Sequence, residues 1–428
     1  MSIRVLVFPS ANEPGLEILQ ALAKSNKIEL LAGSSFDRAY DPSRVLVERH
    51  LECPALGEPD FRARFEPLLR RHAVDLVFPT VDAVVAEFAG WRDPVACLVT
   101  SLPHSAMLVM SKRQTYARLE GHVAVPRIFD GDAPLPCYAK PDIGSGSRGG
   151  FLVETAQDLD LARRRSLLVH ELLPGPEYTV DCLSGLDGGL MFANVRVRGQ
   201  VARGISVGTT GLCRPDIEDS VRRIAARIPL RGPWFAQFKE ARDGTPTLLE
   251  VNARVSGSMT LTRLSGVNIP LIAVFMFMGY AITVPRLLQG VRVNRFPRTA
   301  GEIADFDWVI WDLDDTLVRK DGKVDPDVVA RLYDLHNQSK RQLLLTKNVD
   351  PEAALARLSL PRLFEEVRGV MDKPAGVSAL IRDWDLDPAR CVMINDSITE
   401  NLAIQALHPT LRVVQPDALD LLQREKLR

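Results

Sequence analysis

Acidic, hydroxyl and basic side chains follow strand-like segments in the last part of the sequence. Asp312 and Asp314 come at the end of the apolar run WVIW, and carboxylates this close repel each other unless a cation binds. The later segments end in further polar residues, namely Thr346, Lys373, Asp396 and Glu400. Because parallel strands present their carboxyl ends at one edge of a sheet, we expect these side chains to meet. The pattern predicts a metal-dependent phosphoryl-transfer site.

A glycine-rich segment, CYAKPDIGSGSRGGFLVE, places Lys140 at the end of a short strand and before a loop of glycine and serine. Glycines such as Gly144 and Gly146 let the backbone approach an anion, so that its amides can donate to phosphate oxygens while the lysine supplies charge. Taken alone, the segment fits a flexible hairpin equally well. It is not a Walker loop, because it contains neither GKS nor GKT.

The segment GPWFAQFKEARDGTPTLLEVNARVSGSM predicts a β-hairpin that turns at Asp243–Gly244. Gln237 lies on its first arm. Glu250 and Asn252 lie two residues apart on the second arm, so their side chains face the same side, and Arg254 continues the row. Oxygen ligands grouped in this way suit Mg²⁺ with substrate phosphates. A salt-bridged hairpin is the alternative for these residues taken alone, but in combination with the Lys140 loop the pattern favours the metal.

Length and composition limit the class of protein that positions these residues. The chain has 428 residues, enough for about three domains of ordinary size. Its net charge of −1 does not favour a nucleic-acid or anionic-membrane partner. The six cysteines show no CxxC or metal spacing, and the first residues turn polar too early for a signal peptide, so we expect a cytoplasmic protein with reduced thiols.

Alternating strand and helix patterns predict an α/β fold. The strand-like run Ile3–Phe8, the helical run Gly15–Lys24 and the strand-like run Ile28–Ala32 open the chain, and no GxGxxG follows the first strand, which disfavours a nicotinamide-binding domain. The apolar stretch 268–285 contains Asn268, Pro270 and Gly279, and we expect a short buried helix there rather than a membrane span. The alternation restarts after Phe306, which predicts a separate C-terminal domain.

The first three hundred residues resemble the ATP-grasp superfamily, especially its carbamoyl-phosphate synthetase-like and amino-acid ligase branches. The resemblance covers Met1–Ala300 and rests on four motifs in the family's order. It implies a Rossmann-like pre-ATP-grasp domain at 1–110 and an ATP-grasp domain of α+β type at 111–300, with a lid at about 111–173. ATP and Mg²⁺ are the implied cofactors, with Mn²⁺ as an alternative to Mg²⁺.

The same resemblance implies roles for individual residues. Lys112 and Lys140 would hold the ATP phosphates, with Gly146 and Ser147 on the adjoining loop. The strand Val169–Leu173, through Glu171 and Leu173, would lie beside the adenine, and Glu177 would bind the ribose. Glu250 and Asn252 match the clearest Mg²⁺ ligands, Gln237 matches a further ligand, and Arg254 matches the arginine that stabilises the acyl phosphate.

The implied reaction is ATP-dependent activation of a carboxylate, followed by attack of an amine on the acyl phosphate. Carbamoyl-phosphate synthetases carry a second arginine where this chain has Gly257, which puts a bicarbonate substrate in doubt. A carbamoyl-phosphate-forming or other acyl-phosphate-forming enzyme is the alternative. Arg196, Arg198 and Arg203 either grip a substrate carboxylate or phosphate or belong to a solvated edge strand; both readings stay open.

Residues 305–428 look like the haloacid dehalogenase superfamily, with all four of its motifs. By that resemblance Asp312 is the nucleophile, Asp314 is the general acid and base, and Thr346 and Lys373 hold the phosphoryl oxygens. Asp396 completes a Mg²⁺ site with Asp312 and the backbone carbonyl of Asp314, and Glu400 supports it. The short spacing between the first two motifs implies a Rossmannoid domain, at 301–428, that has no cap.

We therefore predict a bifunctional enzyme in which an ATP-grasp carboxylate–amine ligase is fused to a phosphatase of the same pathway. Small-molecule carboxylate and amine substrates, a phosphorylated metabolite and a homodimer are the expected partners. No nucleic acid and no membrane are expected. The alternative for the last domain is a scaffold or binding module with a phosphatase fold.

Overall fold

The computed structural model describes residues 2–36, 40–91, 94–144, 149–202, 205–288, 290–295, 303, 305–360 and 362–422, with the backbone alone at 201–202 and 205–207. The chain divides into two compact units, Met1–Pro297 and Arg298–Lys426. The two front domains predicted from the sequence thus lie in one compact unit. The predicted start of the last domain, residue 301, lies close to the start of the second unit.

The first part of the first unit is a parallel sheet with flanking helices. Its elements are β1 (Ile3–Phe8), α1 (Glu13–Leu22), β2 (Ile28–Ser34), β3 (Arg49–Glu52), α2 (Phe61–Arg71), β4 (Leu76–Pro79), α3 (Asp82–Ala89), β5 (Cys97–Leu98) and α4 (Pro103–Met110). The strand order is β3-β2-β1-β4-β5. The connection after β1 leads to β2 on one side, and the connection after β4 leads to β5 on the other side. The loops after β1 and β4 therefore diverge and leave a crevice between them.

The turn from β1 into α1 is tight. Asn12 caps the helix, because its side chain accepts a hydrogen bond from the Gly15 amide at 2.9 Å. A Cβ atom at Gly15 would lie 2.4 Å from the Ser10 carbonyl oxygen, so only glycine lets the helix begin this close to the strand. The start of α1 is therefore fixed at the edge of the crevice.

Two antiparallel sheets make up the rest of the first unit. After α5 (Lys112–Leu119) comes a three-stranded sheet in the order β7-β6-β8. Its strands are β6 (Cys137–Lys140), β7 (Phe151–Val153) and β8 (Leu168–Glu171), and helix α6 (Ala156–Arg164) connects β7 to β8. A six-stranded sheet in the order β13-β12-β9-β10-β11-β14 follows, with β9 (Glu177–Ser184), β10 (Leu190–Ala202), β11 (Ile205–Gly211), α7 (Pro215–Arg227), β12 (Gly232–Glu240), β13 (Pro246–Asn252), α8 (Thr260–Leu264), α9 (Ile269–Phe277) and β14 (Arg292–Asn294). The hairpin predicted at Asp243–Gly244 is confirmed, since β12 and β13 pair antiparallel around it.

The six-stranded sheet has one apolar and one polar face. Side chains such as Val180 and Trp234 pack with Ile217 and Ile224 of α7 in a buried core. Alternate residues on the same strands, such as Thr179 and Gln237, point to the other face, as the two-residue period of a strand requires. Helix α9 has nine residues, and within the described ranges no helix is long and apolar enough to cross a membrane.

The second unit is a parallel sheet in the order β17-β16-β15-β18-β19. Its elements are β15 (Trp308–Trp311), α10 (Pro326–Asn337), β16 (Arg341–Thr346), α11 (Pro351–Arg357), β17 (Glu366–Gly369), α12 (Lys373–Asp383), β18 (Cys391–Ile394), α13 (Ile398–Leu407) and β19 (Arg412–Val414). Only a short loop and α10 separate β15 from β16, so no inserted domain lies between them over residues 305–360. Together the units form a mixed α/β fold, as the sequence predicts.

Candidate active site

A cavity of about 520 Å³ lies in the first unit. Asn12, which follows β1, and Thr80, which follows β4, line it on the side of the parallel sheet. The polar face of the six-stranded sheet and residues of the three-stranded sheet line it elsewhere. Six lysine or arginine side chains line the cavity against three glutamates, so it suits an anionic ligand.

Most of the nucleotide-binding residues predicted from the sequence meet at this cavity. Those that line it are Lys112, Lys140, Leu173, Glu177, Gln237, Glu250 and Arg254. Asn252 lines an adjoining pocket of about 210 Å³, which shares Lys112 and Glu250 with the main cavity. Gly146 and Ser147 lie outside the described residues.

The two predicted phosphate-binding lysines approach the same carboxylate. Lys112 lies in the first turn of α5, and its Nζ atom donates to the carbonyl oxygens of Asp142 at 3.2 Å and Gly144 at 2.9 Å. The same Nζ atom lies 3.8 Å from Glu250 Oε2. These contacts hold the ammonium group at the mouth of the glycine-rich loop, where a phosphate would be expected to bind.

Lys140 ends β6 and is partly buried. Its Nζ atom donates to the Tyr116 hydroxyl at 3.0 Å and to the Leu249 carbonyl oxygen at 3.2 Å. Burial lowers the pKa of Lys140 to about 8, and the charge of Glu250 partly opposes this effect. Near neutral pH the amine therefore stays mostly protonated, which is the form that can bind a phosphate.

The hairpin brings the predicted metal ligands to one face. Gln237 of β12 is directly opposite Glu250 of β13. Two residues further along the hairpin, Asn252 is opposite Phe235. Asn252 is buried, and its Nδ2 atom has no hydrogen-bond partner among the described residues. A bound polar group would satisfy this amide.

This donor set fits Mg²⁺ held together with phosphates. One carboxylate and amide oxygens are the few protein ligands that Mg²⁺ needs when phosphate oxygens and water supply the others. Within the described ranges, no group of three or more His, Cys, Asp or Glu side chains is arranged to hold a metal by itself. A metal at Glu250 would therefore depend on the nucleotide for its remaining ligands.

Two leucines of the segment that follows β8 also line the cavity. Leu172 and Leu173 line it, and Glu177 forms an ion pair with Arg198. The Glu171 side chain instead accepts a hydrogen bond from the Arg127 amide at 2.8 Å, and Glu171 is not among the lining residues. The strand predicted at Val169–Leu173 ends at Glu171 in the structure, so Leu173 lies just beyond it and lines the cavity, whereas the carboxylate of Glu171 is engaged elsewhere.

Arg254 is held by an aspartate that sequence reasoning missed. Its Nε atom donates to Asp82 Oδ1 at 2.8 Å, and its Nη2 atom donates to Oδ2 at 3.4 Å. Asp82 begins α3, immediately after the loop that follows β4. A polar residue at the carboxyl end of a parallel strand was the available signal for it. The pair fixes the direction of the Arg254 guanidinium group within the cavity.

The solvated-edge-strand alternative for the arginines of β10 is wrong where the structure describes them. Strand β10 is internal, between β9 and β11, and Arg196 is fully buried. The Arg198 side chain is only 7% exposed. Arg203 lies outside the described residues. Buried His170, in β8, is a further lining residue missed from the sequence, and burial lowers its pKa to about 3.

In the second unit, a buried lysine joins the ends of several strands. Lys373 Nζ lies 3.0 Å from Asp312 Oδ2, 3.1 Å from Glu400 Oε2 and 2.7 Å from Asn395 Oδ1. Asp312 directly follows β15, and Asn395 directly follows β18. The predicted strand ends thus meet at one edge of this sheet.

The remaining predicted residues lie at the same strand ends. Thr346 is fully buried as the last residue of β16, whereas Asp314 is exposed. Burial raises the pKa of Asp312 to about 6; Lys373 opposes this effect, and the charge of Asp396 adds to it. The cation site at Asp312, Asp314 and Asp396 stays a prediction, because within the described ranges no group of three or more His, Cys, Asp or Glu side chains is arranged to hold a metal.

Comparison with known proteins supports the assignment of the first unit. A family model described as ATP-grasp in the biosynthetic pathway with Ter operon matches residues 163–298. A search among curated proteins returned no match.

Several solved structures are similar to this chain. The biotin carboxylase domain of Hydrogenobacter thermophilus 2-oxoglutarate carboxylase has 17% identity and a TM-score of 0.56, over 69% of this chain and 73% of that one. The L-amino acid ligase of Bacillus licheniformis has 17% identity and a TM-score of 0.51, over 65% and 74%. The N5-carboxyaminoimidazole synthetase of Staphylococcus aureus has 12% identity and a TM-score of 0.53, over 67% and 80%.

These comparisons give no support for the haloacid dehalogenase-like domain predicted at 301–428. The structural likenesses cover a share of the chain similar to that of the first unit. At such low identities they show a shared fold. The family match over residues 163–298 and the fold shared with these structures support the ATP-grasp prediction for the first unit.

Proposed function

We propose that the first unit is an ATP-dependent ligase that activates a carboxylate as an acyl phosphate and transfers it to an amine, with release of ADP and phosphate. One observation carries the proposal: Lys112, Lys140, Glu250 and Arg254 converge on one cavity. The similar Bacillus licheniformis protein is an L-amino acid ligase, which favours an amino acid as one of the substrates.

Each group has a defined task in this proposal. Lys112 and Lys140 bind phosphate oxygens as point charges. Glu250 and Asn252, with Gln237, would hold Mg²⁺ or the alternative Mn²⁺, and the metal would neutralise phosphate charge. Arg254, oriented by Asp82, donates to the oxygen on which charge develops when the amine attacks the activated carbonyl. The carbon–nitrogen bond forms as the carbon–oxygen bond to phosphate breaks.

Bicarbonate is the second candidate acid. The similar Hydrogenobacter thermophilus domain is described in complex with bicarbonate as well as MgADP, and as a dimer. Activation of bicarbonate would give a carboxyphosphate or carbamoyl-phosphate-forming enzyme. Gly257, which stands where carbamoyl-phosphate synthetases carry an arginine, disfavours it. We extend the dimeric state to this chain as part of the proposal.

We expect Glu250→Gln to abolish most of the thermal stabilisation that MgATP gives the first unit. Ligand binding to the native state raises stability by about 2.7 kcal/mol at a hundred times Kd, so a large loss of affinity removes a measurable shift. Differential scanning fluorimetry with and without MgATP measures it. Glu218→Gln, at a partly exposed position of α7, is the matched control. An intact shift in Glu250→Gln would remove this residue from the metal site.

For the second unit we propose a phosphatase that uses Asp312 as nucleophile. The supporting observation is the buried contact of Asp312 with Lys373 at the switch point between β15 and β18. An Asp312 oxygen attacks phosphorus, and the bond to the substrate oxygen breaks as Asp314 gives that oxygen a proton. Asp314 then takes a proton from the water that releases phosphate. We further propose that this phosphate is carried by a substrate or product of the ligase; a scaffold domain is the alternative.

A further inference from the structure

Arg196 is a buried arginine of the cavity wall with one nitrogen that has no hydrogen-bond partner among the described residues. It lies on the polar face of β10, lines the cavity and is fully buried. It is a cation of the cavity wall in addition to the two predicted phosphate-binding lysines.

Two of its three nitrogens are fixed by the protein. Nε donates to Asp181 Oδ2 at 2.9 Å, and Nη2 donates to Asp181 Oδ1 at 3.2 Å and to Ser256 Oγ at 3.0 Å. Nη1 has no hydrogen-bond partner among the described residues. Because Asp181 holds the opposite edge of the planar guanidinium group, the N–H groups of Nη1 are the ones left to bind a ligand.

Asp181 does not depend on Arg196 alone. Ser256 donates to its Oδ1 atom at 2.6 Å, and Thr262 donates to its Oδ2 atom at 2.7 Å. Burial would raise the pKa of Asp181, but Arg196 and these hydroxyls more than offset it, and the pKa is lowered. The aspartate is thus a fixed anion that sets the plane of the arginine. An unpaired charged donor in such a site is costly unless a ligand supplies an acceptor.

A carboxylate of opposite sign faces this part of the cavity. Glu13 lines the cavity at the start of α1, and its Oε2 atom has no hydrogen bond, with Arg295 Nη1 at 3.8 Å. The consecutive residues Ser256 and Gly257 connect the two groups: Ser256 binds Arg196, and a Cβ atom at Gly257 would lie 3.5 Å from Glu13 Cβ. A polyanion would be repelled by Glu13, whereas a single carboxylate, in particular that of a zwitterion, suits both charges.

We infer that Arg196 Nη1 forms a specificity subsite for a substrate carboxylate that is not itself activated by ATP. This deepens the proposed ligase function and rests on it. Such a carboxylate has two sources: the α-carboxylate of an amino acid that supplies the amine, or the second carboxylate of a dicarboxylic acid. The shared chemistry is donation from the N–H groups of Nη1 to the oxygens of a carboxylate.

The test compares the full-length chain with Arg196→Lys, which keeps a cation beside Asp181 but removes Nη1. Arg222→Lys, on the exposed surface of α7, is the matched control. The probes are single α-amino acids, their carboxamides, and dicarboxylates such as succinate, each titrated calorimetrically with MgADP present and absent. We expect a wild-type preference for the carboxylate over the amide of roughly 10- to 100-fold in Kd, lost in Arg196→Lys and retained in Arg222→Lys.

Thermal stabilisation by MgADP shows whether each variant is folded. Should Arg196→Lys not fold, Ser256→Ala, which loosens the guanidinium group, should reduce the same preference several-fold. A carboxylate preference found with the α-amino acids assigns the subsite to the amine substrate. One found with the dicarboxylates assigns it to the acid substrate. Three results would overturn the inference. Wild type binds acid and amide equally, Arg196→Lys keeps an undiminished preference, or a wild type that binds MgADP binds none of the probes. Retained carboxylate binding without MgADP binding would instead contradict the proposed function.

Discussion

Arg254→Ala should lower the turnover of ligation 10²–10³-fold, whereas the affinity for MgATP should change only a few-fold. The loss of one preorganised donor to a developing oxyanion costs about 3–4 kcal/mol of transition-state stabilisation. Arg254 fits this role because Asp82 holds its guanidinium group through two hydrogen bonds in a nearly buried position. Its direction is therefore set before substrate arrives, and no reorganisation is needed during the reaction.

Steady-state ADP release and nucleotide calorimetry separate the two effects. Arg222→Ala removes an exposed arginine of α7 and should leave both values unchanged. Asp82→Asn keeps the shape of the partner but weakens its hold, so turnover should fall less than in Arg254→Ala. Wild-type turnover in a folded Arg254→Ala protein would place this arginine outside the reaction.

Asp312→Asn should abolish phosphate-ester hydrolysis by the second unit. Removal of a nucleophile lowers turnover by roughly 10³–10⁶-fold, because an amide oxygen does not form the phosphoryl intermediate. Hydrolysis of p-nitrophenyl phosphate with Mg²⁺ measures it. Asp383→Asn, on the exposed side of α12, is the matched control and should keep the wild-type rate. Absence of hydrolysis in wild type, or equal rates in wild type and Asp312→Asn, would favour the scaffold alternative.

The same variant tests whether the two units serve one pathway. Ligation releases one phosphate for each ADP, and removal of a phosphate from the same molecule adds a second. With the ligase substrates, wild type should approach two phosphates per ADP and Asp312→Asn should give one. The variant should also accumulate a ligated product that retains its phosphate. A ratio of one in both proteins would separate the two activities.

Local patterns in the sequence predict the elements well. The apolar run Ile3–Phe8 is β1, and the hairpin around Asp243–Gly244 follows from a turn signal between two strand-like arms. The predicted ligands Glu250 and Asn252 share a face because a strand has a period of two residues. These features depend on neighbours in sequence, which a pattern can reveal.

The pairings that complete the site depend on residues far apart in sequence. Asp82 and Arg254 are 172 positions apart, and Asp181 and Ser256 are 75 apart. No periodicity indicates that they meet. For the same reason, the residues of β10 do not indicate whether this strand lies inside its sheet or at an edge. Only its pairing with β9 and β11 decides against the edge-strand alternative for Arg196.

The central claim is that the first unit activates a carboxylate with ATP. Isotope transfer during ATP cleavage tests this claim most directly. The purified chain is incubated with MgATP and pooled amino acids whose carboxylates carry ¹⁸O, with ¹⁸O-bicarbonate in a parallel sample. Activation as an acyl phosphate predicts ADP and inorganic phosphate that has gained one ¹⁸O atom from the acid. Release of AMP and pyrophosphate, or of phosphate that contains no ¹⁸O in either sample, would contradict the account.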